Sequence, residues 1–390
     1  MKKYLNLKNN YKMAIKEVTP DFIPGARIKV IGVGGAGCNT INRMIQEGIE
    51  WVDFISVNTD AQALENNLAP TKINIGLDLT KWLGAGANPE IGRKAAEENL
   101  DEIKRHLEDT DMVFITAGMG GGTGTGASPV IAQLTRELGI LTVGVVTKPF
   151  SFEWKKRFEN AIEWLQKLKE IVDTLIVIPN DRIFNIIDKK TTFRQAFQMI
   201  DRILHLGVQG ISDLIIKPWL INIDFADISV IMRDSGTALL GIGYGEGESR
   251  TVDATRQAIE NPLLEAKLEW AKNIIFAVTG GEDLTPTEVQ EAASIIENIA
   301  AEDANIIWWM SIDDNYDGDV KVTIIATGFP EITQTEIIKW WHSKSNPFRA
   351  SSAKGNDFVT KALNTSNQSV EKQQSVENTD VPAFLRRKAK

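Results

Sequence analysis

From Arg27 onward, apolar residues recur with two different periods. Short apolar, β-branched runs at 28–31, 52–57, 112–116, 141–146 and 174–178 predict strands, each separated from the next by a segment of helix length. Residues 39–46 have helical spacing. Asn88-Pro89-Glu90 reads as a helix start with proline in the first turn, and helical spacing continues over 91–107. Strands alternating with helices predict an α/β fold with a parallel sheet covered on both faces. Residues 193–216 lack proline and are apolar on a helical period, which predicts one long helix ending before Pro218. The texture then changes. Runs at 228–232, 273–279, 305–312 and 320–327 predict strands, and 286–301 predicts a helix, together a second, smaller α/β unit.

The flanks carry no such pattern. Residues 1–27 read as a polar, flexible extension, and 331–379 as a Ser-, Asn-, Gln- and Lys-rich linker with too few large apolar residues to fold alone. Apolar and basic residues return at 380–390. The expected organisation is therefore an extension (1–27), a first domain (28–190), a central helix (191–217), a second domain (218–330), a linker (331–379) and a terminal peptide (380–390). Among 390 residues, 43 Lys and Arg stand against 52 Asp and Glu, a net charge of −9 that argues against nucleic acid as a partner. A lone cysteine, Cys38, excludes an intramolecular disulfide, and His106, His205 and His342 lack metal-ligand spacing. No apolar run is long enough to span a membrane, and the N-terminus lacks the apolar core of a signal peptide. A cytoplasmic protein that does not insert into membranes directly is expected.

Candidate chemistry begins with Gly32-Val33-Gly34-Gly35-Ala36-Gly37-Cys38-Asn39, directly after a strand and opening a helix. Glycines let a backbone approach a phosphate, and a helix start offers it free N–H groups. Gly32, Gly34 and Gly37 also satisfy G-x-G-x-x-G, with Asp60 near the place of a ribose-binding acid, so a nicotinamide-dependent oxidoreductase is an alternative. A tight turn that binds nothing is another. A second run, Gly118-Met119-Gly120-Gly121-Gly122-Thr123-Gly124-Thr125-Gly126, adds N–H donors and hydroxyls on a further strand, which suits a mononucleotide triphosphate better than a dinucleotide. No G-x-x-x-x-G-K-[ST] is present, which excludes a P-loop enzyme. Gly84-Ala85-Gly86 precedes another helix and is placed to close over a terminal phosphate. Glu153 and Arg157 lie one helical turn apart after Lys148-Pro149, and Asn180-Asp181 ends a strand. Ligands of open α/β sheets bind outside the carboxyl ends of the strands, so these loops converge on one edge.

Gly34–Asn39, Asn58-Thr59-Asp60-Ala61-Gln62, Ala117–Gly126, Thr147–Glu153 and Ile178–Asp181 resemble, in order, the motifs of the FtsZ proteins of the tubulin/FtsZ family. Gly207–Asp213, Asn222-Ile223-Asp224-Phe225-Ala226-Asp227 and Asp380–Arg387 continue the series. The resemblance covers about 28–330 and the terminal peptide. It implies a Rossmann-like GTPase domain and a smaller α/β domain joined by a long central helix, with GTP or GDP and Mg2+ carried by the nucleotide. It places Gly34, Gly35, Ala36, Gly37, Cys38, Asn39, Gly84, Ala85, Gly86, Gly118, Gly120, Gly121, Gly122, Thr123, Gly124, Thr125 and Pro149 around the nucleotide. Glu153 and Arg157 are implied near ribose and phosphates, Asn180 and Asp201 on the guanine, and Phe197 stacked on it. Asn222, Asp224 and Asp227 are implied to be catalytic toward the next subunit's GTP in a head-to-tail homopolymer that forms the ring of cell division. Asp380, Pro382, Phe384, Leu385, Arg386 and Arg387 are implied to dock membrane-anchoring and regulatory division proteins, which would recruit the chain to midcell. A regulator that binds GTP without hydrolysing it is the remaining alternative, and Asp224 and Asp227 speak against it.

Tryptophan departs from this pattern. The chain has ten, against four tyrosines. Trp51, Trp82, Trp154, Trp164, Trp219, Trp270 and Trp309 stand where the family pattern has glycine, with Trp340 or Trp341 undecided and Trp308 a native apolar position. The uniform exchange is expected if UGA, a glycine codon in the gene, is read here as tryptophan.

Overall fold

The computed structural model describes residues 26–329 except 50, 189, 217–223, 261–267, 314–315 and 317. The expected extension, linker and terminal peptide, with Asp380, Pro382, Phe384, Leu385, Arg386 and Arg387, lie outside the described residues apart from two positions of the extension. So do Asn222 and Trp219.

The five apolar runs of the first half become β1 (Ile28–Val33), β2 (Val52–Asn58), β4 (Met112–Gly118), β5 (Leu141–Lys148) and β6 (Thr174–Pro179). A short strand that the apolar pattern did not mark, β3 (Thr71–Asn74), joins them, all parallel and ordered β3-β2-β1-β4-β5-β6. Between them run α1 (Gly34–Gln46), α2 (Ala61–Glu65), α3 (Leu77–Thr80), α4 (Pro89–Glu98), α5 (Leu100–Arg105), α6 (Thr123–Glu137) and α7 (Lys155–Lys169). Successive strand residues point to opposite faces, so a strand buried on both sides reads as a continuous apolar run. Val30 accordingly joins a core with Met44, Phe114 and Leu204, while its neighbour Ile31 joins the opposite core with Ile115, Ile131 and Leu165.

The predicted long helix is α8 (Phe193–Ile216), 24 residues and so about 36 Å long. It buries Ile200, Leu204, Val208 and Ile211 against the first core. Beyond it come α9 (Phe225–Met232), β7 (Gly236–Glu246), α10 (Arg250–Ile259), β8 (Asn273–Gly280), α11 (Pro286–Ile299), β9 (Asn305–Ile312) and β10 (Asp319–Thr327). β7 extends the first sheet through three parallel pairs with β6, from Thr174↔Gly236 to Ile176↔Ala238. β10 then runs antiparallel to β7 and β8, and β9 parallel to β8. Leu239, Phe276, Ile296 and Val322 belong to a third core that takes in α10 and α11.

The structure differs from the sequence reading at several elements. Residues 228–232 are not a strand but the end of α9. A short apolar run carries no period of its own, and here the Asp224 side chain accepts the Asp227 N–H and starts a helix. The helical stretch 91–107 breaks at Asn99, whose side-chain oxygen accepts the Gly76 N–H. α1 begins five residues before 39, within the glycines themselves. Among the described residues, no helix is long and apolar enough to cross a membrane.

Candidate functional site

Two glycine loops leave the carboxyl ends of β1 and β4, and a third, Gly84–Gly86, lies between α3 and α4 against the second. α1 starts at Gly34 and α6 at Thr123, and neither has a side-chain cap or an acidic residue in its first turn. Their first N–H groups are therefore left for an anion. The loops pack backbone on backbone. A Cβ on Gly34, which has φ +71°, would lie 2.6 Å from the Gly124 nitrogen, and one on Gly122 would lie 2.8 Å from the Ala85 side chain. In contrast, a Cβ on Gly35, Gly84 or Gly86 would meet nothing within 4 Å. The cavity so formed, about 340 Å³, is lined by Gly35, Ala36, Gly84, Ala85, Gly118, Gly121, Gly122, Thr123, Gly124, Pro149, Glu153, Arg157, Asn180 and Phe197.

Polar groups in and beside this cavity are held in graded readiness. Glu153 accepts the Phe150 N–H at 2.9 Å and an Arg157 N–H at 2.7 Å, which fixes the guanidinium beside the glycine loop, 3.9 Å from where a Gly121 Cβ would stand. The side-chain oxygen of buried Asn180 has no partner within the protein, so a donor from a ligand would satisfy it. On α8, Asp201 Oδ1 accepts the hydroxyl of Thr40 from α1 at 3.4 Å, and burial raises the Asp201 carboxyl to about 6. Phe197, 45% exposed, packs edge to face on Phe150 with centroids 5.4 Å apart. A basic group, two free helix starts, an unpaired amide and a half-exposed ring suit a phosphorylated aromatic ligand.

Not every residue named for this site faces it. Thr125 is fully buried, and its hydroxyl accepts the Gly120 N–H at 2.8 Å, so it shapes the loop rather than offering an exposed hydroxyl. Gly37 packs against the β4 backbone at Thr116. Cys38 points inward, and burial pushes its thiol up to about 11, which leaves it unreactive. Asn39 is exposed on α1. Asn58, Asp60, Ala63 and Thr147 also line the cavity. Asn58, Asp60 and Thr147 lie in stretches that carry the family resemblance, whereas nothing in the residue type marked Ala63. Asp224 and Asp227 do not line it. They lie exposed at the start of α9, beyond the far end of α8 from Phe197 and Asp201.

The model of the Tubulin/FtsZ family GTPase domain matches residues 27–188, and that of the FtsZ family C-terminal domain matches 236–330. Among solved structures, an empty FtsZ dimer from M. jannaschii is 45% identical, with a TM-score of 0.73 over 78% of this chain and 88% of that one. A tyrosine-for-tryptophan mutant of FtsZ from M. jannaschii is 44% identical, with a TM-score of 0.74 over 78% of this chain and 92% of that one. CetZ2 from Haloferax volcanii, in a GTPγS-bound protofilament, is similar in fold at 19% identity, with a TM-score of 0.69 over 83% of this chain and 100% of that one.

Proposed function

The chain belongs to the tubulin/FtsZ family, and on that premise we propose that it polymerises head to tail and hydrolyses GTP only where two subunits meet. The FtsZ dimer among the similar structures supports self-association. In this reading the N–H groups at the starts of α1 and α6 hold the phosphates and Arg157, steadied by Glu153, adds positive charge. Phe197 stacks on the base. Asn180 and the ionised Asp201 read guanine's O6, N1–H and 2-amino groups, which rejects adenine. Mg2+ carried by the nucleotide would offset charge developing on the phosphates.

One observation carries the hydrolysis reading: the carboxylates suited to orienting a water, Asp224 and Asp227, are separated from their own chain's cavity by the length of α8. A neighbour's aspartates can complete the site through a heterologous contact, and such contacts repeat into filaments rather than closing into pairs. Asn222 would join them. The family places such a polymer in the cytokinetic ring, with the 380–390 peptide docking the division partners that bring it to midcell. Because Asp224 also caps α9, Asp224→Asn is the informative variant, since asparagine caps equally well without the charge. GTP turnover should fall by about 100-fold or more while GTP affinity of the monomer stays unchanged. Mixed with wild type, the variant should also depress wild-type turnover in GTP-dependent pelleting with parallel phosphate release. Loss of monomer affinity instead would refute the shared site.

A further inference from the structure

Seven described residues other than glycine adopt a left-handed backbone, and three of them are Trp51 (φ 64°), Trp82 (φ 68°) and Trp154 (φ 76°). Two of the rest are Asp109 and Asp234, a type that tolerates this region because its short side chain bonds locally. An indole has no such compensation. Trp154 goes further, since φ 76° with ψ 148° lies at the edge of a region populated essentially by glycine. Packing does not offset the strain, because Trp51, Trp82 and Trp154 are 70%, 56% and 82% exposed.

The chain demands these conformations for specific reasons. Trp51 turns the chain from α1 into β2. The Trp82 carbonyl accepts the Ala61 N–H at 3.3 Å, just before the Gly84–Gly86 loop. The Trp154 carbonyl accepts the N–H of Arg157 at 3.1 Å and of Phe158 at 3.4 Å, which starts α7 and sets Arg157 beside Glu153. Glycine meets each demand without strain. The replacement is also of one kind. The chain has 15 phenylalanines and four tyrosines, yet every left-handed aromatic residue among those described is tryptophan. Lys81 (φ 50°) and Ala87 (φ 57°) complete the seven; among the aromatic residues the exchange is of the single kind that one misread codon produces.

We infer that positions 51, 82 and 154 are glycine in the functional protein, each encoded by a UGA triplet that its own cell reads as glycine and that appears as tryptophan in this chain. Trp164 and Trp309 differ, being buried in a helix and a strand without left-handed backbone, and no backbone requirement for glycine exists there.

The gene at these positions gives the first test: UGA is expected, and UGG at all three overturns the inference. Peptide masses of the protein purified from its own cells give the second, with glycine expected at all three and tryptophan overturning it. A third test needs neither gene nor source. The triple variant Trp51→Gly, Trp82→Gly, Trp154→Gly should melt higher than the tryptophan chain, by about 5 °C or more. Trp308→Gly, also at an exposed position but in extended β9, should melt lower. A triple variant that melts no higher overturns the backbone argument.

Discussion

Glycine clusters in two regions of this molecule, and the two clusters do opposite work. In the first, Gly34, Gly37 and Gly122 let loops pack together so that Gly35, Gly84 and Gly86 face open space beside the ends of β1 and β4. In the second, Gly241, Gly243 and Gly245 alternate along β7, and a Cβ on each would overlap a backbone carbonyl of α10, at Ala258, Ala254 and Arg250 respectively. There the missing side chains let a helix lie directly on a strand. Glycine density alone thus fails to identify a ligand site. What distinguishes the first cluster is that some of its absent Cβ atoms would point into open space, and that the Asn180 side-chain oxygen nearby remains without a partner.

The contrast is sharpest in a pair of identical substitutions. Gly243→Ala should destabilise the fold by about 3 kcal/mol or more, because neither β7 nor the α10 backbone can yield locally. Gly35→Ala should leave stability within about 0.5 kcal/mol while weakening GTP binding roughly tenfold by crowding the approach of a phosphate. Urea midpoints and nucleotide titrations read both, and equal stability losses would erase the distinction.

Arg250 tests the second region by charge. It is buried, and it bonds Asp283 and, at 2.7 Å, Glu288, so that α10 is tied to α11. Arg250→Ala should cost about 2–3 kcal/mol by leaving those carboxylates without their partner. The Arg250 guanidinium holds the Glu288 carboxyl down at about 2, below its ordinary 4.5. A depressed carboxyl stabilises the fold fully above its ordinary value and loses that contribution as pH falls toward 2. The gap between wild type and Arg250→Ala should therefore narrow below about pH 4.5 in melting curves, and a gap constant with pH would exclude the pair as its source.

Asp201 tests the first region the same way, with the sign set by burial. If Asp201 reads guanine as proposed, its raised carboxyl, at about 6, must be ionised to accept the base's N–H groups. GTP affinity should fall roughly tenfold between pH 7 and pH 5, and Asp201→Asn should flatten that dependence. Smallest of all, removing residues 380–390 should leave polymerisation and GTP turnover unchanged and abolish only recruitment by a membrane-anchoring partner.

The same contrast explains what the sequence made legible. β1, β4 and α8 stand out because buried parallel strands and a long amphipathic helix carry strong periods. β7 stayed hidden because its alternate glycines remove half of the apolar signal that marks a strand, and α9 because a cap, not a period, makes 225–232 helical. At the site, the glycine loops were visible as motifs, whereas the inward turn of Thr125 depends on a hydrogen bond between residues five apart in a folded loop. Asp201 was placed by resemblance, yet its raised carboxyl comes from burial, which residue type does not encode.

The length of α8 has a consequence in the counting of filaments. A row of subunits has one junction fewer than it has cavities. If Asp224 and Asp227 serve only across junctions, one cavity at one tip of every filament always lacks them. The nucleotide there persists while those in the interior turn over, so the two tips differ chemically even though every subunit is identical. Turnover per subunit then rises with filament length and levels off, and breaking filaments without changing protein concentration slows it.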